Sequence, residues 1–246
     1  MSTPMAVKAP VRILGGLLVT VLVLGGAYAV ATKLARAERT ERLTVASAGV
    51  QTLVASTDVG SLSVEPSTAS DRVEVQLHRE GAWRLPRFEE RRVGDTLHLE
   101  ASCARHWFGD CSTQMVLRVP EGMHLETSSS VGEVSVRGAY PSVTMETSTG
   151  RLAADQLRAS RVRATSSVGE VSITLASPAD SVAVTTSVGD VLLVVPDDGT
   201  SYDVQAQTSM GETHTTVPVS SASAHHIRVT SSVGDVRVGT SSDQAS

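Results

Sequence analysis

The sequence predicts an all-β protein built as a parallel β-solenoid of about seven short repeats, preceded by one N-terminal transmembrane helix. Three observations support this prediction. A phrase of the form Ser-Val-Gly-acid-Val recurs along the chain, apolar residues alternate with polar ones on both sides of its glycine, and turn-forming residues separate the copies. Repeats of about 20 residues are typical of stacked arrays rather than of a single globular core.

The N-terminal part of the 246-residue chain carries a candidate membrane segment. Residues 13–32 form a run of 20 residues without a charge, which is long enough to cross a bilayer as a helix. Ala27-Tyr28-Ala29 also fits the cleavage site of a secretory signal, but the run is longer than a usual signal core, which favours an uncleaved anchor. We therefore expect a short basic tail at 1–12, a transmembrane helix at 13–32 that makes the membrane a partner, and a charged linker at 33–42.

Two features bear on the orientation of this anchor, and they point in opposite directions. The basic residues Lys8 and Arg12 precede the segment and four basic residues follow it, a count that places the repeats in the cytoplasm. The two cysteines of the chain, Cys103 and Cys111, lie close together in one loop, a spacing that suits a hairpin disulfide. A disulfide indicates an oxidising compartment. We expect this disulfide, and a single-pass cell-membrane protein whose solenoid lies outside the cytoplasm.

The charge of the repeat region excludes one class of partner. Residues 43–246 contain 15 arginines, no lysine and 24 acidic residues, so their net charge is −9. A domain this acidic is repelled by phosphate backbones, and nucleic acid is therefore not an expected partner. We expect a protein or a polymer of the cell envelope instead.

Seven glycines mark the repeats, and positions are numbered relative to them. They are Gly60, Gly132, Gly150, Gly169, Gly189, Gly211 and Gly234, and the last six are 18 to 23 residues apart. Position −7 is aliphatic, position −3 is Ser or Thr, and position −1 is mostly valine, so these positions are expected to face the core together. After the glycine the apolar residues stand at +2 and +4. Because the alternation slips by one, we expect the chain to turn a corner at each glycine, with positive φ there.

Connectors such as GAYPS (138–142) and PDDGTS (196–201) end each copy, since proline lacks a backbone donor and stops a strand. One repeat is therefore strand, corner, strand and return. Equivalent residues in equivalent places imply that successive repeats lie on one another in parallel, about 4.8 Å apart. We expect the solenoid to span 43–238 and a disordered tail to follow at 239–246.

The phrase VPEGMHLETSSSVGEVSV (119–136), the glycine-acid-aliphatic corners and the SSVGDV ending resemble the bacterial putative-adhesin repeat family, a β-strand repeat domain of unknown function (DUF4097-like). The resemblance covers residues 43–238. It implies a right-handed β-solenoid, often tethered to membranes of the bacterial envelope, without catalytic residues that can be transferred. The cysteine loop and a long arginine-rich insertion depart from the family's plain pattern.

Residues 79–113 interrupt the repeat. Alternating stretches at 73–78, 96–101 and 115–119 indicate strands on either side of the interrupting segments. In one interpretation, aromatic side chains beside arginines form a candidate interaction patch for a protein or an anionic polymer. In the other, the segment caps the open first rung, since solenoid ends need covers. We favour the cap, although the roles are compatible. The candidate patch consists of Trp83, Phe88, Arg91, Arg92, Trp107 and Phe108.

Acidic residues follow most of the motif glycines, and Arg151 interrupts their series. Stacked carboxylates suit Ca²⁺, but nothing supplies the six to eight oxygen ligands that this ion takes, so solvated turn residues are expected. The acids at this offset are Glu133, Glu170, Asp190, Glu212 and Asp235.

Two other groups contain side chains that bind metals. Cys103, His106, Asp110 and Cys111 stand close together, but no second pair completes a zinc spacing, so the disulfide is favoured. The adjacent His225-His226 side chains point to opposite faces of a strand and are expected in solvent. No metal or cofactor is therefore expected.

The repetition itself argues against catalysis. Solenoids that cleave polysaccharides need carboxylates that converge, and a nucleophilic serine needs its own base, whereas the acids and serines here recur alike in every copy. We therefore expect a non-enzymatic, membrane-anchored β-solenoid that presents an interaction surface, either adhesin-like or accessory to envelope sensing. The alternative is a solenoid that binds or cleaves a polysaccharide.

Overall fold

The computed structural model describes residues 36–82, 84–103 and 111–242. These residues form strands and connecting turns, so the all-β class is confirmed. The predicted tail at 1–12 and transmembrane helix at 13–32 lie outside the described residues. Within the described ranges, no helix is long and apolar enough to cross a membrane.

The described residues contain 18 strands, named in chain order. They are β1 (Arg36–Ala46), β2 (Thr52–Ser67), β3 (Arg72–Ala82), β4 (Arg87–Val93), β5 (Thr96–Ser102), β6 (Cys111–Pro120), β7 (His124–Val131), β8 (Val134–Ala139), β9 (Ser142–Thr149), β10 (Leu152–Arg158), β11 (Arg161–Val168), β12 (Val171–Leu175), β13 (Ser181–Val188), β14 (Val191–Val195), β15 (Asp203–Met210), β16 (Thr213–Thr215), β17 (His226–Val233) and β18 (Val236–Thr240).

These strands build a parallel solenoid in which each rung holds one strand in sheet B and the next in sheet A. The strand β2 spans a whole rung, with residues 52–59 in sheet B and 60–67 in sheet A. Neighbouring rungs pair in register, so that Val162 lies opposite Val143 on one side and Val182 on the other. The predicted parallel solenoid is confirmed, and the described residues form eight rungs rather than about seven.

The order of the rungs in space differs from their order in the chain at both ends. The pair β5 and β6 flanks β2 on one side and the pair β7 and β8 flanks it on the other, so β2 is the second rung. At the opposite end, β17 and β18 insert between β13–β14 and β15–β16. The expectation that successive repeats stack in chain order is therefore wrong for the terminal rungs.

The composition of the last two repeats gives a physical reason for this order. In the β15–β16 rung, positions +2 and +4 are Thr213 and Thr215, which are exposed because no rung covers them. In the β17–β18 rung the same positions are Val236 and Val238, which are buried. Terminal repeats of solenoids need polar outward surfaces, so the threonine-bearing rung is suited to the end and the valine-bearing rung to the interior.

The core contains most of the apolar positions that the pattern predicts, with one exception. Leu53, Leu152 and Ile173 at positions −7, +2 and +4 are fully buried. Position −1 is exposed instead, at 47% for Val168 and 45% for Val188, so the prediction that it faces the core is wrong. The pairing of β11 with β13 skips position −2, which shows that the chain begins its corner before the glycine and turns positions −2 and −1 outward.

Antiparallel strands cover the N-terminal end of the solenoid. The strand β4 pairs with the edge of sheet B through β5, and β3 and β1 extend sheet A beyond β6. Two boundary predictions are corrected here. Residues 36–42, predicted as part of a linker, belong to β1, and residues 87–93, predicted as a connection, form β4. The ion pair between Arg79 Nη2 and Glu41 Oε2, at 2.6 Å, ties β1 to β3.

Candidate interaction surfaces

The motif glycines form a column along one corner of the solenoid. Their φ angles lie between 126° and 145°, which confirms the predicted positive φ. A Cβ built on Gly189 would lie 2.0 Å from the carbonyl oxygen of Gly169, and one on Gly169 would lie 1.7 Å from that of Gly150. Glycine is therefore required for two reasons: it adopts positive φ without strain, and its lack of a side chain lets neighbouring rungs approach closely.

The corner acids contribute to this column through their side chains. Asp190 Oδ1 accepts the backbone N–H of Asp235 at 2.8 Å, and Asp235 Oδ1 accepts that of Glu212 at 3.0 Å. Arg151 Nη2 lies 2.7 Å from Glu170 Oε2 and compensates its charge. These carboxylates hold rungs together, and no group of three His, Cys, Asp or Glu residues in the described ranges is arranged to hold a metal ion.

An exposed apolar ridge runs beside the glycine column. It consists of the position −1 side chains, in spatial order Val131, Thr149, Val168, Val188, Val233 and Met210, and all except Thr149 rank among the large exposed hydrophobic residues. Sequence analysis missed this surface because parity alone assigned it to the core. Neighbouring members lie about 4.8 Å apart, so each valine is partly covered by the next.

The outer surface of sheet B, here called the sheet B face, is the broadest repeating surface. Position −2 presents a row of exposed serines, and position −4 presents mainly Ser and Thr, so hydroxyl groups follow the rungs. The exposed serines at position −2 are Ser130, Ser148, Ser167, Ser187, Ser232 and Ser209. Eight parallel strands about 4.8 Å apart make this face roughly 34 Å long.

Two concave regions interrupt the sheet B face where arginines stand beside small residues. A cavity of about 320 Å³ is lined by Arg163, Arg228, His226, Ser181 and Ala183, among others. A second cavity of about 260 Å³ adjoins it through shared residues and reaches Ser142, Thr144 and Arg161. Sequence analysis missed this site because Arg228 comes from a different repeat than Arg161 and Arg163, and only the rung order brings the three arginines together.

The predicted patch at 79–113 is only partly described. Phe88 is half-buried and packs against the core, as a capping residue does. Arg91 and Arg92 are exposed, and Arg92 Nη2 donates a hydrogen bond to the Ala48 carbonyl at 2.9 Å, which ties the β4 hairpin to the preceding loop. Trp83, Trp107 and Phe108 lie outside the described residues.

The cysteines and histidines have structural contacts. Cys103 and Cys111 are disulfide-bonded with a Cα–Cα distance of 6.2 Å, and the backbone N–H of Cys103 donates to Asp58 Oδ2 at 2.9 Å. His225 is half-buried, contrary to the expectation of a solvated side chain, because its ring packs against Tyr202 and its Nδ1 lies 2.9 Å from the Ala179 carbonyl.

Two buried tyrosines lie along the connectors. The hydroxyl groups of Tyr140 and Tyr202 have no hydrogen-bond partner among the described residues. Burial raises the pKa of Tyr202 to about 12, with Asp198 adding to the effect. Burial, and then Glu121, likewise raises the pKa of Tyr140. Both phenols therefore stay protonated and act as space-filling residues near neutral pH.

The described residues form a parallel β-solenoid whose distinctive features are its repeated lateral faces. The chain belongs to the Toastrack DUF4097 family, whose sequence model matches residues 43–239. The predicted family resemblance is therefore confirmed. No curated protein matches the sequence.

Three solved structures are similar to this chain. A putative cell adhesion protein from Clostridium sporogenes shares 10% identity and a TM-score of 0.45, covering 83% of this chain and 100% of its own. A putative adhesin from Bacteroides fragilis shares 11% identity and a TM-score of 0.35, with coverage of 82% and 97%. A putative adhesin from Parabacteroides distasonis shares 10% identity and a TM-score of 0.38, also with coverage of 82% and 97%.

Proposed function

We propose that this protein is a non-enzymatic, membrane-anchored β-solenoid that uses its sheet B face as a contact surface, either for adhesion or as an accessory to envelope sensing. The observation that carries the proposal is the sheet B face itself. It presents an aligned row of exposed serine hydroxyls on six of its eight parallel strands, and its cationic groove lies within the same surface. Such a face offers many equivalent contacts to an extended partner.

The rigidity of the face supports this role. Backbone pairing in register holds the row at position −4 and the residues on either side of position −2, and the glycine column sets a close approach between neighbouring rungs. A preformed surface loses little conformational entropy when it binds, so weak contacts repeated along the rungs add up. The corner carboxylates support it too, because Asp190 and Asp235 hold backbone amides of neighbouring rungs rather than converging on a cleft.

The proposal places residues 13–32 in the membrane and the solenoid outside the cytoplasm. The disulfide between Cys103 and Cys111 supports an oxidising compartment. Thiol labelling of intact cells tests this part, with and without a reductant. We expect labelling only after reduction by an agent that does not enter the cell, and labelling only after lysis would place the solenoid in the cytoplasm.

Binding to isolated envelope fragments tests the contact surface. Full-length protein in non-ionic detergent micelles is sedimented with fragments from its own cells, as wild type and as two variants with equal charge change. The test variant carries Ser167→Glu, Ser187→Glu and Ser232→Glu on the sheet B face. The control carries Ser63→Glu, Ser135→Glu and Ser172→Glu on the outer surface of sheet A. We expect binding to be lost only in the test variant, and equal binding by both variants would overturn the proposal.

A further inference from the structure

Three arginines on the sheet B face differ from most others in their partners. Arg161, Arg163 and Arg228 have no carboxylate within 4 Å in the described part of the chain, although this region is strongly acidic. The arginines that do form ion pairs with described carboxylates are Arg39, Arg72, Arg79, Arg87, Arg118, Arg137, Arg151 and Arg237. The three unpaired groups therefore keep their charge available to a ligand.

The rung order brings these arginines together in one groove. Arg163, Ala183 and Arg228 lie opposite one another on β11, β13 and β17, and Ser181 lies between Arg161 and His226 in the same way. Arg161 and Arg163 on one side and Arg228 on the other thus flank a floor of short side chains. Adjacent strands are about 4.8 Å apart, so the Cα atoms of Arg163 and Arg228 are separated by about 10 Å.

Neutral contacts orient one wall of the groove. Gln205 Oε1 accepts hydrogen bonds from Arg228 Nη2 at 3.0 Å and from Arg228 Nε at 3.3 Å, which fixes the guanidinium without compensating its charge. Asp203 lines the same cavity, and its Oδ2 lies 3.2 Å from His226 Nδ1. Among the residues that line the two cavities, there are thus three arginines and one carboxylate, which already has a partner, so the lining carries a net positive charge.

We propose that this arginine groove binds an anionic polysaccharide whose acidic groups are separated by neutral sugars. Guanidinium groups bind oxyanions through paired, charge-assisted hydrogen bonds, and their fork suits carboxylates. The hydroxyls of Ser142, Thr144 and Ser181 line the same two cavities and provide hydrogen bonds for neutral sugars. The inference rests on the proposed function and names its ligand class.

The overall charge explains why the acidic groups of the ligand are spaced. Residues 43–246 carry a net charge of −9 even with the arginines of the groove included, so the surface outside the groove is strongly negative. A polymer charged at every unit meets repulsion on both sides of the groove, whereas a polymer with separated charges places them against the arginines and its neutral sugars elsewhere.

Affinity measurements with three defined polysaccharides test the inference. Full-length protein in non-ionic micelles is titrated with hyaluronan, in which a uronate alternates with a neutral sugar, with polygalacturonate, which is charged at every unit, and with neutral dextran. The test variant is Arg163→Gln with Arg228→Gln. The matched control is Arg137→Gln with Arg237→Gln, which removes the same charge from ion-paired arginines on the sheet A side. Equal thermal midpoints of the two variants establish that both are folded.

We expect hyaluronan to bind more tightly than the other two polymers, with at least a tenfold loss in the test variant and less than a twofold loss in the control. Equal losses of hyaluronan affinity in both variants would show a general effect of charge and would overturn the proposal that the groove is the binding site. Tighter binding of polygalacturonate would overturn the requirement for spaced charge. If hyaluronan does not bind while sedimentation with envelope fragments still depends on the serine rows, the groove proposal fails and the proposed function stands.

Discussion

Replacement of Gly189 by alanine tests the geometry of the corner column. The glycine has a φ of 145°, which other residues adopt at a cost of about 1–3 kcal/mol. The new Cβ would lie 2.0 Å from the Gly169 carbonyl oxygen and 2.6 Å from its carbon, so the rungs must separate locally. Overpacking of this kind costs about 1–3 kcal/mol more. We therefore expect a destabilisation of about 2–6 kcal/mol, measured by urea unfolding of the full-length protein in micelles.

Gly199→Ala is the matched control for this substitution. Gly199 also has positive φ, at 79°, but nothing lies within 4 Å of a Cβ built on it. The Gly199→Ala variant therefore measures only the cost of placing alanine at positive φ, and its urea midpoint should fall much less than that of the Gly189→Ala variant. Equal midpoints for the two variants would show that the close contact between rungs is absent and would refute the reasoning.

Three further predictions, which use five substitutions, test the surfaces and buried groups by the same unfolding measurement. Val168→Thr should change the free energy of unfolding by less than about 0.5 kcal/mol, because Val168 is exposed, whereas Ile173→Ala should cost about 2–5 kcal/mol, because Ile173 is fully buried. Equal effects of the two substitutions would mean that position −1 faces the core after all. Asp190→Ala should cost about 1 kcal/mol and Glu133→Ala almost nothing, because of these two side chains only that of Asp190 accepts a hydrogen bond from a backbone N–H. A larger loss for Glu133→Ala than for Asp190→Ala would contradict this role. Tyr202→Phe should not destabilise at neutral pH, since the lost hydroxyl has no described partner. The raised pKa of Tyr202 means that wild type loses stability as the pH rises from about 10 to about 12, and an equal loss in the variant would contradict this.

The repeat could be predicted from the sequence because its information is local. The glycine of each corner, the buried positions −7 and +2, and the parallel register follow from spacing and alternation, and Gly189, Val182 and Val191 lie where these rules place them. Position −1 could not be predicted in this way. Alternation fixes the side of a strand only while the strand is regular, and the skipped pairing at position −2 ends that regularity before the glycine.

The rung order is a non-local property, and the arginine groove depends on it. Thr213 and Thr215 replace the aliphatic residues of positions +2 and +4 in the repeat of Gly211, which is the signal in the sequence that this rung lies at an end. In chain-order stacking, β15 would separate β13 from β17, and Arg228 would lie three strands from Arg163. Sequence analysis therefore placed candidate binding at 79–113, where Phe88 packs as part of a cap.

Cysteine cross-linking measures the rung order directly, because both the fold and the groove require β17 beside β13. Ser187 and Ser232 occupy position −2 on these neighbouring strands, while Ser209 lies one strand further away on β15. Disulfides form between Cα atoms about 4.4–6.8 Å apart and not across the roughly 10 Å of two strands. Under mild oxidation we expect a disulfide in the Ser187→Cys with Ser232→Cys variant and free thiols in the Ser187→Cys with Ser209→Cys variant, both identified by mass spectrometry of peptides. The opposite result would contradict the rung order and, with it, the arginine groove.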